Sequence, residues 1–119
     1  MRLLAIEMST GSGSLAVLGP GGVEFAERFE AVRGQGSRLF PALAEIAAGD
    51  ARIEWLLVGL GPGSYAGLRV AIAASMGFGL ARGIPIAGLP SALGVGVEGS
   101  GFRYVGDARR GMLHHARVD

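Results

Sequence analysis

The segment Gly61-Pro62-Gly63-Ser64-Tyr65-Ala66-Gly67-Leu68-Arg69 lies between an apolar run, Trp55-Leu56-Leu57-Val58, and a long stretch of small and apolar residues from Val70 to Ala81. A strand, a glycine turn and a helix in that order constrain the fold more than any other part of the chain. Free backbone N–H groups at such a helix N-terminus point at whatever docks there, and the same geometry cradles phosphates. The glycines let the backbone bend and approach closely, while Pro62 stiffens the turn. The segment is expected either to hold an anion or to shape a protein surface.

Composition narrows the choice. At 119 residues the chain is one domain at most, or part of a larger one, and with 50% hydrophobic residues it has ample material for a core. Charged residues make up 18% and the formal net charge is +1, a balance that argues against a direct nucleic-acid binder. All 11 basic residues are arginine, so no lysine is present for a Walker loop or a Schiff base. With no cysteine, disulfides, thiolate catalysis and cysteine metal sites are excluded. After Met1-Arg2 the apolar run ends at Glu7, too short for a signal peptide, and Val70 to Ala81 falls short of the roughly 18 residues a membrane span needs. The chain reads as soluble and cytoplasmic, with no membrane partner.

The element order follows from turns and periodicity. Leu3 to Ile6 reads as a strand, Thr10 to Gly13 as a turn, and Ser14 to Leu18 as a second strand. Gly19-Pro20-Gly21-Gly22 is a strong turn, after which Val23, Phe25 and Phe29 suggest a third strand, so antiparallel hairpins are expected. A polar loop from Arg33 to Ser37 leads to a helix on which Leu39, Phe40, Leu43, Ile46 and Ala47 form the apolar face and Arg38, Ala42 and Glu45 the opposite one. Gly49-Asp50 ends it. Trp55 to Leu60 is the fourth strand and Ser64 to Arg82 the second helix, apolar around its whole circumference and so in need of cover on both sides. Ile84 to Ala87 is a short fifth strand; Glu98-Gly99-Ser100-Gly101 breaks the chain before two final extended runs, Phe102 to Gly106 and Met112 to Val118. The order β-β-β-α-β-α-β fits an α/β fold with a mixed five-stranded sheet and right-handed crossovers, the topology of the first lobe of the actin-like (ASKHA, ribonuclease H-like) superfamily.

No catalytic set emerges. Gly61-x-Gly63-x-x-Ala66 matches a dinucleotide fingerprint, yet no Asp or Glu occurs from Trp55 through Val97 to hold a ribose. Pro62 stands where the nucleophile elbow needs its first glycine, so Ser64 is no hydrolase nucleophile. Glu7 at the end of the first strand occupies the place of a magnesium-positioning acid, but no partner acid accompanies it, and hydrogen bonding to the Ser9-Thr10 turn is the simpler reading. His114 and His115 are adjacent, so a strand sends them to opposite faces and they cannot chelate one metal. No metal site is expected.

Four segments together resemble a known family. Met1 to Thr10 is similar to its opening strand, where Glu7 replaces the usual Asp. Gln35-Gly36-Ser37-Arg38-Leu39-Phe40-Pro41 is similar to its H-S-x-x-L-L-P helix start, with Gln35 for His. Gly61 to Arg69 is close to G-P-G-S-[FY]-T-G-[LV]-R, and Asp107-Ala108-Arg109-Arg110-Gly111 to the D-A-R-x-G that opens a second lobe. The family is TsaB, also called YeaZ, the bacterial partner of TsaD in making threonylcarbamoyladenosine in transfer RNA. The resemblance implies a non-catalytic lobe over residues 1–101, with residues 102–119 opening a second lobe that is truncated here. It implies no cofactor of its own, no enzymatic activity and association through the two helices, either with TsaD or as a homodimer. On this chain that surface falls on Arg38, Ala42, Glu45, Ala73, Met76, Gly77 and Leu80. The alternative is an actin-like enzyme binding ATP and magnesium, with Thr10, Gly61, Gly63 and Ser64 around the phosphates. The glycoprotease label sometimes attached to the broader family has no supporting residue in this chain.

Overall fold

In the computed structural model, residues 1–30, 38–94 and 101–119 are described, with Arg109 and Ala116 described by their backbone alone. The expected loop from Arg33 to Ser37, with Gln35, and the break at Glu98 to Ser100 lie outside these residues.

Three strands open the chain: β1 (Leu3–Glu7), β2 (Ser12–Gly19) and β3 (Gly22–Glu30). They form two antiparallel hairpins, as the glycine turns require, with Ala5 opposite Ala16 and Ala16 opposite Ala26. Gly22, at φ +118°, takes the tight turn between β2 and β3. Helix α1 (Leu39–Ala48), β4 (Trp55–Gly59), helix α2 (Tyr65–Arg82) and β5 (Ile86–Leu89) follow. Both β4 and β5 enter the sheet in parallel, giving the five-stranded order β3-β2-β1-β4-β5. The expected mixed sheet is therefore present. After a short 3-10 turn at Ser91–Gly94, β6 (Phe102–Arg109) and β7 (Met112–Val118) form a separate antiparallel hairpin.

Strand alternation sends Leu4, Ile6, Leu15, Val17, Leu56 and Val58 to one face, where they meet Leu39, Ala42, Leu43 and Ile46 of α1 and Ala71 and Ala74 of α2 in one core. Fully burying a leucine such as Leu4 or Leu56 contributes about 1.5–3 kcal/mol, which ties both helices to the same side of the sheet. The opposite face carries Leu3, Ala5, Ala16, Leu18 and Leu57, all half-buried. No helix among the described residues covers it.

Two expectations are corrected. Phe40 is 53% exposed whereas Ala42 is fully buried, because Leu39, Ala42, Leu43 and Ile46 form the i, i+3, i+4, i+7 stripe and Phe40 lies outside it. Strand β5 begins at Ile86, two residues later than expected: the Ile84 N–H bonds back to Gly79 O, and Pro85 has no N–H to give a ladder. The expected third strand is present as β3, in which Val23 is exposed while Phe25 and Phe29 pack against the core.

Candidate functional site

The glycine loop is built from both ends. Gly61, buried and at φ +84°, is pinned from two directions: its N–H donates to Ser91 Oγ at 2.9 Å, and its carbonyl accepts from Ser91 N–H at 2.9 Å. A side chain here would also collide with Leu68. Gly61 is thus a structural residue of the loop and does not line the cleft where the nucleotide alternative placed it. Gly63 passes so close to Ser9 that a Cβ would run into its backbone carbonyl, and Ser64 N–H donates to Ser9 O at 2.7 Å. These contacts hold the start of α2 against the end of β1. Ser64 then caps the helix, its Oγ accepting from Gly67 N–H at 3.2 Å. At the other end Gly83 takes the left-handed conformation, φ +64°, that closes the helix.

A cleft of about 510 Å³ opens beside this loop, lined by Ser9, Thr10, Gly63, Ser64 and Tyr65 on one side. Tyr104, Asp107 and His114 of the β6–β7 hairpin line the other side. Three of the four expected nucleotide residues, Thr10, Gly63 and Ser64, therefore share one cleft. Thr10 spends its hydroxyl locally, donating to Ser12 O at 3.1 Å and accepting from Ser12 N–H at 3.2 Å. Of the first N–H groups of α2, those of Gly67 and Leu68 already have partners in Ser64. Glu7 turns away from the cleft, accepting from Ser9 N–H at 2.7 Å and resting over Gly59, as the turn-bonding reading expects. It joins Ala5, Ser14, Ala16 and Leu57 along a groove of about 550 Å³ on the open face of the sheet.

The two histidines take opposite faces of β7, as adjacency dictates: His114 stacks on Tyr104 with ring centroids 5.5 Å apart, and His115 is exposed. Sequence spacing gave no hint that Tyr104 and His114 would face Ser64, because only the tertiary fold brings the hairpin there.

The second candidate surface is the outer side of α2. Ala73, Met76, Gly77 and Leu80 are all exposed, with Met76 at 61% and Leu80 at 86%. Tyr65, 75% exposed, and Arg69 extend this stripe toward the loop, and the Arg69 guanidinium sits 5.4 Å above the Tyr65 ring. Both precede Ala73 at intervals of four, the signal by which sequence reading would have included them. A Cβ built on Gly77 meets nothing within 4 Å, so the position is open to solvent. On α1, Glu45 is exposed and Arg38 is engaged: its Nε donates to Glu27 Oε1 of β3 at 3.0 Å, and this carboxylate pushes the Arg38 pKa further up. Ala42, expected on this surface, belongs to the core. The Arg82 guanidinium donates to Ala47 O and ties the C-terminal ends of the two helices together. Among the described residues there is no group of three His, Cys, Asp or Glu side chains able to hold a metal ion, and no helix long and apolar enough to cross a membrane.

No family model matches the chain. An uncharacterized protein of Mycobacterium leprae is 39% identical over 77 residues, 64% of this chain and 21% of that protein. An uncharacterized protein of Mycobacterium tuberculosis is 38% identical over 90 residues, 71% of this chain and 43% of that protein. The chain thus matches less than half the length of these curated relatives. Among solved structures, YeaZ from Pseudomonas aeruginosa superposes with a TM-score of 0.78 at 23% identity, covering 98% of this chain and 59% of that one. An uncharacterized protein with similarity to peptidase YeaZ, also from Pseudomonas aeruginosa, gives a TM-score of 0.80 at 24% identity, covering 98% and 58%. From its first strand to its last hairpin, the chain has the YeaZ-like form of the actin-like fold.

Proposed function

We propose that this chain is a TsaB-like, non-catalytic partner in threonylcarbamoyladenosine modification of transfer RNA, working by association of its α2 face with a TsaD-like protein or with a second copy. The observation that carries the reading is the exposed stripe Tyr65, Arg69, Ala73, Met76, Gly77 and Leu80 on a helix whose inner side is packed on the sheet. Its apolar rim and small centre suit close approach by another helix, and Tyr, Met and Arg are residues that interfaces favour. The YeaZ-like fold and the near-complete Gly61 to Arg69 motif support the same assignment. In this reading β6 and β7 begin a second lobe, and the chain needs neither metal nor nucleotide of its own.

The test is co-purification of the full chain with the TsaD homologue of its own organism, with solution mass measured in parallel. Gly77→Arg and Ala73→Arg are expected to abolish association without lowering the melting temperature of the monomer, since Gly77 has open space around it and Ala73 is exposed. Normal association by both folded variants would sink the proposal. A homodimer indifferent to TsaD would confine the role to self-association.

A second reading, Mg-ATP binding, draws on the convergence of Thr10, Gly63 and Ser64 with Tyr104, Asp107 and His114 around one cleft. Calorimetric titration with Mg-ATP tests it directly; absence of binding at millimolar nucleotide removes it.

A further inference from the structure

The glycine loop is clasped by a residue far from it in sequence. Ser91 stands 30 positions after Gly61, just beyond the end of β5 at Leu89. Gly61 is buried, so its N–H and C=O need partners within the protein. Ser91 supplies both: its Oγ accepts from Gly61 N–H at 2.9 Å, and its own N–H donates to Gly61 O at 2.9 Å. The other bonds that hold the loop to its neighbours, Leu60 N–H to Leu89 O and Ser64 N–H to Ser9 O, run between backbone groups. The Ser91 hydroxyl is therefore the contact that a side-chain change can remove.

The hold passes to α2 through packing. Leu68 lies over Gly61, so close that a Cβ built there would stand 2.8 Å from Leu68 Cδ1. Leu68 follows Tyr65 by three positions and precedes Arg69 by one, so the residue resting on Gly61 belongs to the turn that carries the loop end of the outer stripe. The far end of α2 is anchored separately. Gly83 closes the helix, the Arg82 guanidinium donates to Ala47 O, and Gly79 lies against Ile86. A shift of Gly61 would displace Tyr65 and Arg69 while Met76 and Leu80 stayed in place.

We propose that Ser91 is a positioning residue for association through α2, its hydroxyl holding the glycine loop so that Tyr65 and Arg69 are already set when the partner arrives. A surface held in its bound form loses less freedom on association. The role presupposes the association proposed above for that face; Ser91 acts through Gly61 and Leu68 and does not touch the partner.

The experiment compares Ser91→Ala and Ser91→Thr in the full chain, first by amide hydrogen exchange. Ser91→Ala leaves the Gly61 N–H without its acceptor, so exchange at Gly61 should quicken about tenfold or more. The amides of Leu60 and Leu68, bonded to Leu89 O and Ser64 O, should keep their protection. Ser91→Thr retains an oxygen at the same place and should protect Gly61 as the parent does. Association is then measured with the partner that the parent chain takes, the TsaD homologue or a second copy. Ser91→Ala should weaken it about tenfold, and Ser91→Thr should stay within about threefold of the parent. Combined variants separate positioning from a general loss of stability. With Tyr65→Ala in place, Ser91→Ala should cost less than about threefold more, whereas with Leu80→Ala the loss of about tenfold should persist. Unchanged exchange at Gly61, unchanged association, no rescue by threonine, or equal losses in the two backgrounds would overturn the proposal. Gly77→Arg tells the two failures apart. If it blocks association while Ser91→Ala does not weaken it, the role of Ser91 alone falls. If neither variant affects association, the α2 surface falls and the role of Ser91 with it.

Discussion

Helix α2 turns Gly79 toward the sheet and Gly77 toward solvent, and two residues of one type meet opposite surroundings. A Cβ on Gly79 would stand 2.7 Å from Ile86 Cδ1 and 3.2 Å from Ile84 O, whereas one on Gly77 meets nothing within 4 Å. The same division holds along the helix. Gly67, Ala71, Ala74, Ser75 and Gly79 are buried, while Ala73, Met76, Gly77 and Leu80 are exposed. Small residues on the inner side let the helix lie close to β4 and β5. Small residues on the outer side have no such work within the monomer, and their apolar neighbours Met76 and Leu80 gain nothing from water. Both sides carry alanine and glycine, but only the outer side adds large apolar residues with nothing in the monomer to pack against, which is why it is proposed as a surface for another chain.

The sharpest way to break this comparison is to enlarge each glycine in turn. Gly79→Leu forces Ile86 and the β5 approach apart and should cost about 3 kcal/mol or more, a large fall in melting temperature. Gly77→Leu meets open space and replaces a poor helix former, so monomer stability should hold or rise by about 0.5–1 kcal/mol. Equal losses in thermal melts of the two variants would mean that α2 does not sit as described.

How much of this was legible in the sequence depends on the range of the interactions involved. The hairpins, the mixed sheet and the bounds of α2 were readable because Gly22, Ser64 and Gly83 act locally, through turn and cap geometry. Strand β5 was misplaced by two residues because the backbone of Ile84 is claimed by Gly79, a contact that apolar patterning does not report. On α1 the expected apolar face took in Phe40 and left out Ala42, whereas counting i, i+3, i+4, i+7 from Leu39 takes in Ala42 and leaves out Phe40. The outer stripe of α2 was legible as apolar surface, since Met76 and Leu80 fall on the helix away from Ala71 and Ala74. The cleft was half legible: Thr10, Gly63 and Ser64 lie in turns that sequence identifies, but Tyr104 and His114 reach it from a hairpin whose placement is tertiary.

Two serines probe the inner side and the start of α2 more finely. Ser64→Ala removes the oxygen that accepts from Gly67 N–H and should cost about 1 kcal/mol in chemical denaturation, with the outer stripe unaltered. Ser75 is fully buried and its Oγ has no hydrogen-bond partner. Ser75→Ala removes a desolvated hydroxyl and substitutes the best helix former, so stability should rise by about 1 kcal/mol. A loss of stability instead would show that the hydroxyl is satisfied in solution, by water or a carbonyl of the preceding turn.

Gly77→Ala makes the smallest change and separates the two roles of the helix most cleanly. Within the monomer the added methyl meets open space, and replacing glycine in a helix interior should raise stability by about 0.5–1 kcal/mol. If the outer side is the closest point of contact with another helix, the same methyl intrudes on that approach, because interaxial distance depends on the side chains at the crossing. Thermal melts and association measured on the one variant should therefore move in opposite directions, with a more stable monomer that associates more weakly. A variant that gains stability and associates as before would place the contact elsewhere along the stripe, toward Tyr65 and Arg69. One that loses stability would show that Gly77 is packed within the monomer, and that the contrast with Gly79 is wrong.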